Sequence, residues 1–221
     1  VWQAPETGPY SQEVWAPELH YLNDKWHIYF AASDGQNKNH LAYVLQSKTK
    51  DPLGGYELHG PFQTGDSEEE NLWAIDMTPL EHKGKLYAIW SGWDGPETDQ
   101  QFLYIAEMAS PTKLAGKRVR ICDNLDYPWE KTEGGANGRG LNEGPQVLEN
   151  GKHTYLIYSC GASWLPSYKL GQLELTGDDP LDPASWEKRK GSIFQSSKET
   201  FGVGHSCFVK SPDGSEWWHI F

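Results

Sequence analysis

The stretch Trp73-Ala74-Ile75-Asp76-Met77-Thr78-Pro79-Leu80-Glu81-His82-Lys83-Gly84-Lys85-Leu86-Tyr87-Ala88-Ile89-Trp90 contains the unit from which the fold is read. An apolar run opens on one acid, breaks at Lys83-Gly84 and resumes as an aromatic-rich run, which predicts a β-hairpin. The pattern recurs. Trp15-Ala16-Pro17-Glu18, Gly140-Leu141-Asn142-Glu143 and Gly202-Val203-Gly204-His205 open similar units, each ending on one ionisable residue, at separations of 58, 67 and 62 residues. Asn23-Asp24, Asn150-Gly151 and Asp213-Gly214 occupy the place of Lys83-Gly84, and such pairs suit the positive φ angles of tight hairpins. The strands expected after these turns are 26–30, 86–90, 155–158 and 217–221. Third strands are expected at 41–45, 102–108 and 168–175, and weaker fourth ones at 56–58, 118–121 and 186–189.

Four strands at a period of about sixty residues describe propeller blades rather than a sandwich. The chain is therefore expected to be all-β, with three full blades and the first hairpin of another. Residues 63–71 and 125–139 read as exposed connections between blades, and the acidic run Glu68-Glu69-Glu70 as a solvated loop. No linker divides the sequence, so residues 1–221 are expected to form a single domain. The start at Val1 and the stop within an apparent strand at Phe221 suggest a piece of a larger propeller.

Composition narrows the function classes. A net charge of −12 disfavours nucleic acid, whose binding rests on Lys and Arg neutralising phosphates. No apolar run reaches the ~20 residues of a membrane span. The 11 Trp and 11 Tyr suit a neutral glycan, which offers C–H faces to indole rings and hydroxyls to carboxylates. Cys122, Cys160 and Cys207 match neither a disulfide framework nor a metal motif and read as packing residues. His20, His27, His40, His59, His82, His153 and His219 read as surface or half-buried strand residues.

In a propeller the first strand of each blade lines the central channel, so Glu18, Asp76, Glu143 and His205, aligned by the repeat, are expected to converge. Carboxylates gathered in this way keep one member protonated while another stays ionised. Glycoside hydrolysis needs that pairing, with carboxyls roughly 6.5–9.5 Å apart for inversion and about 5–5.5 Å apart for retention. The alternative for each acid is a salt-bridged structural role.

Trp15-Ala16-Pro17-Glu18, Ala74-Ile75-Asp76-Met77, Asn142-Glu143-Gly144-Pro145 and Gly204-His205-Ser206 resemble, in order and spacing, the blade openings of glycoside hydrolase family 43. The resemblance implies a five-bladed β-propeller, represented here by about three and a half blades. It also implies inverting cleavage of arabinose- or xylose-containing plant polysaccharides, foremost as an α-L-arabinofuranosidase. By the same resemblance Glu143 is the general acid and Asp76 the residue that tunes it. Ile75 touches the sugar, and Trp15 and Ala16 form the wall of the terminal subsite. Glu18 has a supporting role. His205 matches a histidine near a water-coordinated structural Ca²⁺ in the channel, and no cofactor is required. Trp93 and Trp164 are outer subsite candidates, with core packing as the equal alternative. The family's Asp general base is expected on a blade preceding Val1, which leaves a non-catalytic carbohydrate-binding propeller as the second reading. An extracellular or periplasmic location is implied by the polysaccharide substrate.

Overall fold

The computed structural model describes residues 1–67, 70–96, 98–131 and 139–221. Glu68 and Glu69 of the acidic run, and residues 132–138 of the 125–139 connection, lie outside them.

The fold is all-β, with antiparallel sheets in chain order. The first holds β1 (Gln12–Leu22), β2 (Lys25–Ser33), β3 (Leu41–Ser47) and β4 (Tyr56–His59) in the order β1-β2-β3-β4. The second holds β5 (Ala74–His82), β6 (Lys85–Trp93), β7 (Gln101–Ser110) and β8 (Lys113–Leu114), with β9 (Val119–Cys122) also on β7. The third holds β10 (Asn142–Asn150), β11 (His153–Cys160), β12 (Lys169–Leu175) and β13 (Trp186–Lys188). β14 (Cys207–Lys210) and β15 (Trp217–Ile220) form a final hairpin. These are the expected blades, with one change. The expected fourth strand of the second blade, β9, is preceded by the two-residue β8, which also pairs with β7.

The turns explain the hairpins. Asn23 and Asp24 both have positive φ, 49° and 62°, as do Lys83 and Gly84, so both loops have the type I′ geometry that matches strand twist. In the third blade the turn sits one residue later than expected. Asn150 pairs with His153, leaving Gly151 at the first central position with φ 64°, the type II′ arrangement.

The first strands β1, β5 and β10 also carry a bulge that the sequence repeat misaligned. Pairing skips between Trp15 and Glu18, between Ile75 and Thr78, and between Glu143 and Gln146, so two residues oppose one at each place. The residue with positive φ is Ala16 (46°), Asp76 (56°) or Gly144 (53°), and His205 (49°) has it just before β14. Ala16, Asp76, Gly144 and His205 are therefore the equivalent positions. Glu18 lies two residues past this point and Glu143 one residue before it, which corrects the expectation that Glu18, Asp76, Glu143 and His205 are equivalent. A one-residue bulge leaves composition and polarity unchanged, so the sequence pattern does not reveal it.

The chain forms two compact units, Val1–Thr98 with Tyr104–Val119, and Asp99–Leu103 with Arg120–Phe221. In the first, alternate residues of β2 serve two cores. Phe30 and Ala32 join Tyr43, Leu45 and Tyr56, whereas Ala31 joins Trp73, Ile75 and Trp93. His27 and His40 in this unit are completely buried, a correction to their expected surface or half-buried placement. The second unit buries Leu156, Tyr158, Cys160, Leu170 and Leu173 from neighbouring strands of one sheet. Cys122, Cys160 and Cys207 are free thiols, the first two buried and the third half-buried.

Candidate active site

Asp76 is 2% exposed and holds the left-handed position of the β5 bulge. That conformation costs a non-glycine residue roughly 1–3 kcal/mol, is best tolerated by Asn and Asp, and gathers at functional sites. A buried carboxylate on strained backbone is not what sheet formation alone selects. Ile75, next to it, is 6% exposed and packed with Trp73 and Trp93. The two indoles stack with centroids 4.9 Å apart and planes 11° apart, so Trp93 has the core-packing partner that the sequence left open. Trp164, by contrast, is 70% exposed.

Arg118, which the sequence did not single out, fixes the end of β6. Its Nη1 donates to the Trp93 carbonyl at 2.5 Å and its Nε to Asp66 at 2.8 Å, while the guanidinium lies 4.1 Å from the Tyr104 ring centroid. This guanidinium, donating to both Asp66 oxygens, holds that carboxyl below its ordinary range.

Trp15 is 38% exposed and stacks on the buried His40 ring with centroids 3.7 Å apart, which leaves an anchored indole with open surface. Ala16 is half-buried beside it. Glu18 pairs with His20 at 3.0 Å.

In the second unit, Glu143 is the second residue of β10, and both carboxyl oxygens are held. Gln101 Nε2 donates to Oε2 and the Tyr168 hydroxyl to Oε1, each at 2.8 Å. Neither partner was found in the sequence, because they lie 42 and 25 residues away and belong to no motif. The surrounding glycines are explained by close approach. A Cβ on Gly204 would lie 2.1 Å from a Tyr168 ring carbon, and one on Gly144 would lie 3.1 Å from Ser159 Oγ and 3.3 Å from His205 Nδ1. Ser159 Oγ also accepts the His205 backbone N–H at 2.6 Å, and the His205 side chain is exposed.

Behind this strand lies a buried ionic network that polarity patterns could not reveal. Glu130, with no exposed surface, accepts from Tyr158 Oη at 2.7 Å, Asn142 Nδ2 at 3.1 Å and Lys188 Nζ at 2.8 Å. Lys188 also donates to the Asp123 carbonyl. Burial would lower the Lys188 ammonium, but Cys122 and Glu130 beside it hold it above its ordinary range. Burial pushes the Cys122 thiol up to about 12, so it is no nucleophile at neutral pH.

Among the described residues no three His, Cys, Asp or Glu side chains gather as metal ligands. A hard cation prefers carboxylate and carbonyl oxygen, and an exposed imidazole alone does not supply that set. Among the described residues His205 therefore has no cage for directly ligating Ca²⁺, and the ion implied by the resemblance is one held through water. No helix among the described residues is long and apolar enough to cross a membrane.

The chain is similar to known proteins over nearly its whole length. The chain is 31% identical over 219 residues to an extracellular exo-α-(1→5)-L-arabinofuranosidase of Streptomyces chartreusis, covering 97% of this chain and 63% of that protein. It is 32% identical to α-L-arabinofuranosidase 43 of Humicola insolens, covering 97% of this chain and 43% of the relative. The crystal structure of α-L-arabinofuranosidase from Lactobacillus brevis superposes with a TM-score of 0.84 at 35% identity, over 97% of this chain and 67% of the other. The chain thus spans less than two thirds of the length of the curated relatives named. With left-handed bulges on successive first strands, an acid held at the start of β10, and a family model matching residues 1–221, the chain belongs to family 43 of the glycosyl hydrolases.

Proposed function

We propose that this chain carries part of the active site of an extracellular α-L-arabinofuranosidase that cleaves arabinose-containing polysaccharide with inversion. Glu143 is the general acid and Asp76 the carboxylate that tunes it, while no residue of this chain is assigned the general base. The observation that carries the reading is the fixed Glu143 carboxyl, with one oxygen on the Gln101 amide and the other on the Tyr168 hydroxyl. A general acid must present its proton in one direction, and donors on both oxygens hold the carboxyl plane. The tyrosine hydroxyl can donate to the carboxylate or accept from the acid, so it serves both protonation states.

In the proposed reaction a water oxygen attacks the anomeric carbon as the glycosidic C–O bond breaks. The water gives a proton to the base, and Glu143 gives one to the leaving oxygen. Glu143→Gln is expected to lower kcat on arabino-oligosaccharides by roughly 10²–10⁴-fold. The loss should be far smaller on aryl arabinofuranosides whose leaving group departs without a proton. Equal loss on both substrates, or none, removes the general-acid role. NMR of the first-formed anomer tests inversion. Oligosaccharide binding by the wild type without any release of reducing sugar returns the carbohydrate-binding reading.

A further inference from the structure

The buried network around Glu130 takes no part in the chemistry proposed above, yet it reaches the residue next to the acid. Glu130 ends a short 3₁₀ turn, Pro128–Glu130. Its carboxylate gathers one donor from each of three strands of the third blade: Asn142 of β10 at 3.1 Å, Tyr158 of β11 at 2.7 Å and Lys188 of β13 at 2.8 Å. A carboxylate, which only accepts, satisfies that set. The Tyr158 ring reaches it across Gly171 of β12, where a Cβ would lie 2.4 Å from a ring carbon and 2.6 Å from the hydroxyl oxygen. Stability alone does not account for this arrangement, because a buried ion pair is often no better than apolar side chains of the same volume.

Asn142 immediately precedes Glu143, and neighbouring strand residues point to opposite faces. The two hydrogens of Asn142 Nδ2 have Glu130 and the Asp123 carbonyl as acceptors, each at 3.1 Å. Lys188 donates to that same carbonyl. The next residue, Asn124, donates at 2.9 Å to the backbone carbonyl of Gln101, whose side chain holds Glu143 Oε2. Residues 123 and 124 therefore anchor both the acid's chain neighbour and one of its side-chain partners. Beyond Glu143 the ladder is interrupted. Glu143 pairs with Ser159, after which pairing skips to Gln146, and Gly144 has φ 53°. Bulges re-aim side chains, so the direction of Glu143 depends on its anchored side.

We infer that Glu130 is a positioning residue for the general acid, fixing through Asn142 the direction in which Glu143 presents its proton. The inference rests on the reading of Glu143 as general acid. Glu130 has no exposed surface, so it acts through its neighbours rather than on the sugar. It fixes the Asn142 amide, the amide fixes the start of β10, and Lys188 keeps the carboxylate in place.

The test measures kcat and KM of the full-length enzyme and of Glu130→Gln, Asn142→Ala and Glu143→Gln. One substrate is arabinotriose, whose leaving oxygen needs a proton, and the other is 4-nitrophenyl arabinofuranoside, whose leaving group departs without one. A displaced acid affects the first far more than the second. In Glu130→Gln and Asn142→Ala, kcat for arabinotriose is expected to fall about 10–10²-fold further than kcat for the aryl substrate, as for a misplacement of about 1 Å, with KM for arabinotriose unchanged within about twofold. An equal fall on both substrates, no fall on either, or a rise in KM alone overturns the positioning role. Asn142→Ala leaves the Glu130–Lys188 pair intact, so it decides the matter if Glu130→Gln, which strips Lys188 of its partner, does not fold. Glu143→Gln separates the two readings. A substrate-selective loss there, absent from the other variants, removes the role of Glu130 and keeps the acid. No activity in the wild type, or no selective loss in Glu143→Gln, removes the general-acid reading and the positioning role with it.

Discussion

His27 is completely buried on β2, with Nε2 3.0 Å from the amide nitrogen of Gln46. That nitrogen only donates, so the ring accepts there and carries its proton on Nδ1, which is buried without a partner. Burial pulls the imidazole down to about 4. An unfolded histidine takes up its proton near 6.5. Between those two values the unfolded chain binds more protons than the folded one, so stability falls as pH drops from about 6.5 to about 4 and is unaffected by this group above that window. His27→Gln is expected to flatten the decline. Thermal melts at steps from pH 7 to pH 4.5 check it, and identical slopes for variant and wild type remove the assignment. At this scale the sequence was least legible. His27 alternates correctly on a strand, but its lack of exposed surface depends on what covers the sheet. Glu130 is similar, because its burial depends on Lys188, 58 residues away.

The elements were more legible. The expected strands 41–45, 102–108 and 168–175 lie within or nearly within β3, β7 and β12, because their ends are marked by turn residues and their apolar content is high. The two-residue β8 has too little sequence to carry a pattern. The bulges were missed because they shift pairing rather than composition, and the misplacement of Glu18 and Glu143 against Asp76 followed. The motif around Gly204 shows how an element-level feature supports the site. Its φ lies outside the left-handed region, so the glycine is required by space alone, leaving room for the ring whose hydroxyl reaches Glu143. Gly204→Ala is expected to destabilise the fold by about 1–3 kcal/mol through overpacking. It should also lower turnover by displacing Tyr168. Tyr168→Phe serves as the comparison, since it removes the hydroxyl while keeping the ring. Denaturant unfolding should show the larger loss for the alanine variant, and equal stability of both variants contradicts the steric account.

For the whole molecule, a net charge of −12 disfavours nucleic acid as a partner, and the same charge affects stability. Excess like charge disfavours the compact state, and salt screens it over a Debye length of about 10 Å at 0.1 M. Sodium chloride from about 0.02 to about 0.5 M is therefore expected to raise Tm by a few degrees. A Tm that falls across that series shows instead that exposed ion pairs such as Lys85–Glu107 outweigh the general repulsion. The repeating blade pattern was the most legible feature of all, since every blade needs the same hairpin. Its repeated left-handed position, set in a bulge in the first three blades and just ahead of β14 in the last, works as an interchangeable socket. Ala16, Asp76, Gly144 and His205 share a backbone conformation but differ in chemistry, so a methyl, a carboxylate, a bare backbone and an imidazole all occupy it. The flanking hairpin keeps its pairing whichever residue sits there, and chemistry can change from blade to blade without redesign of the sheet.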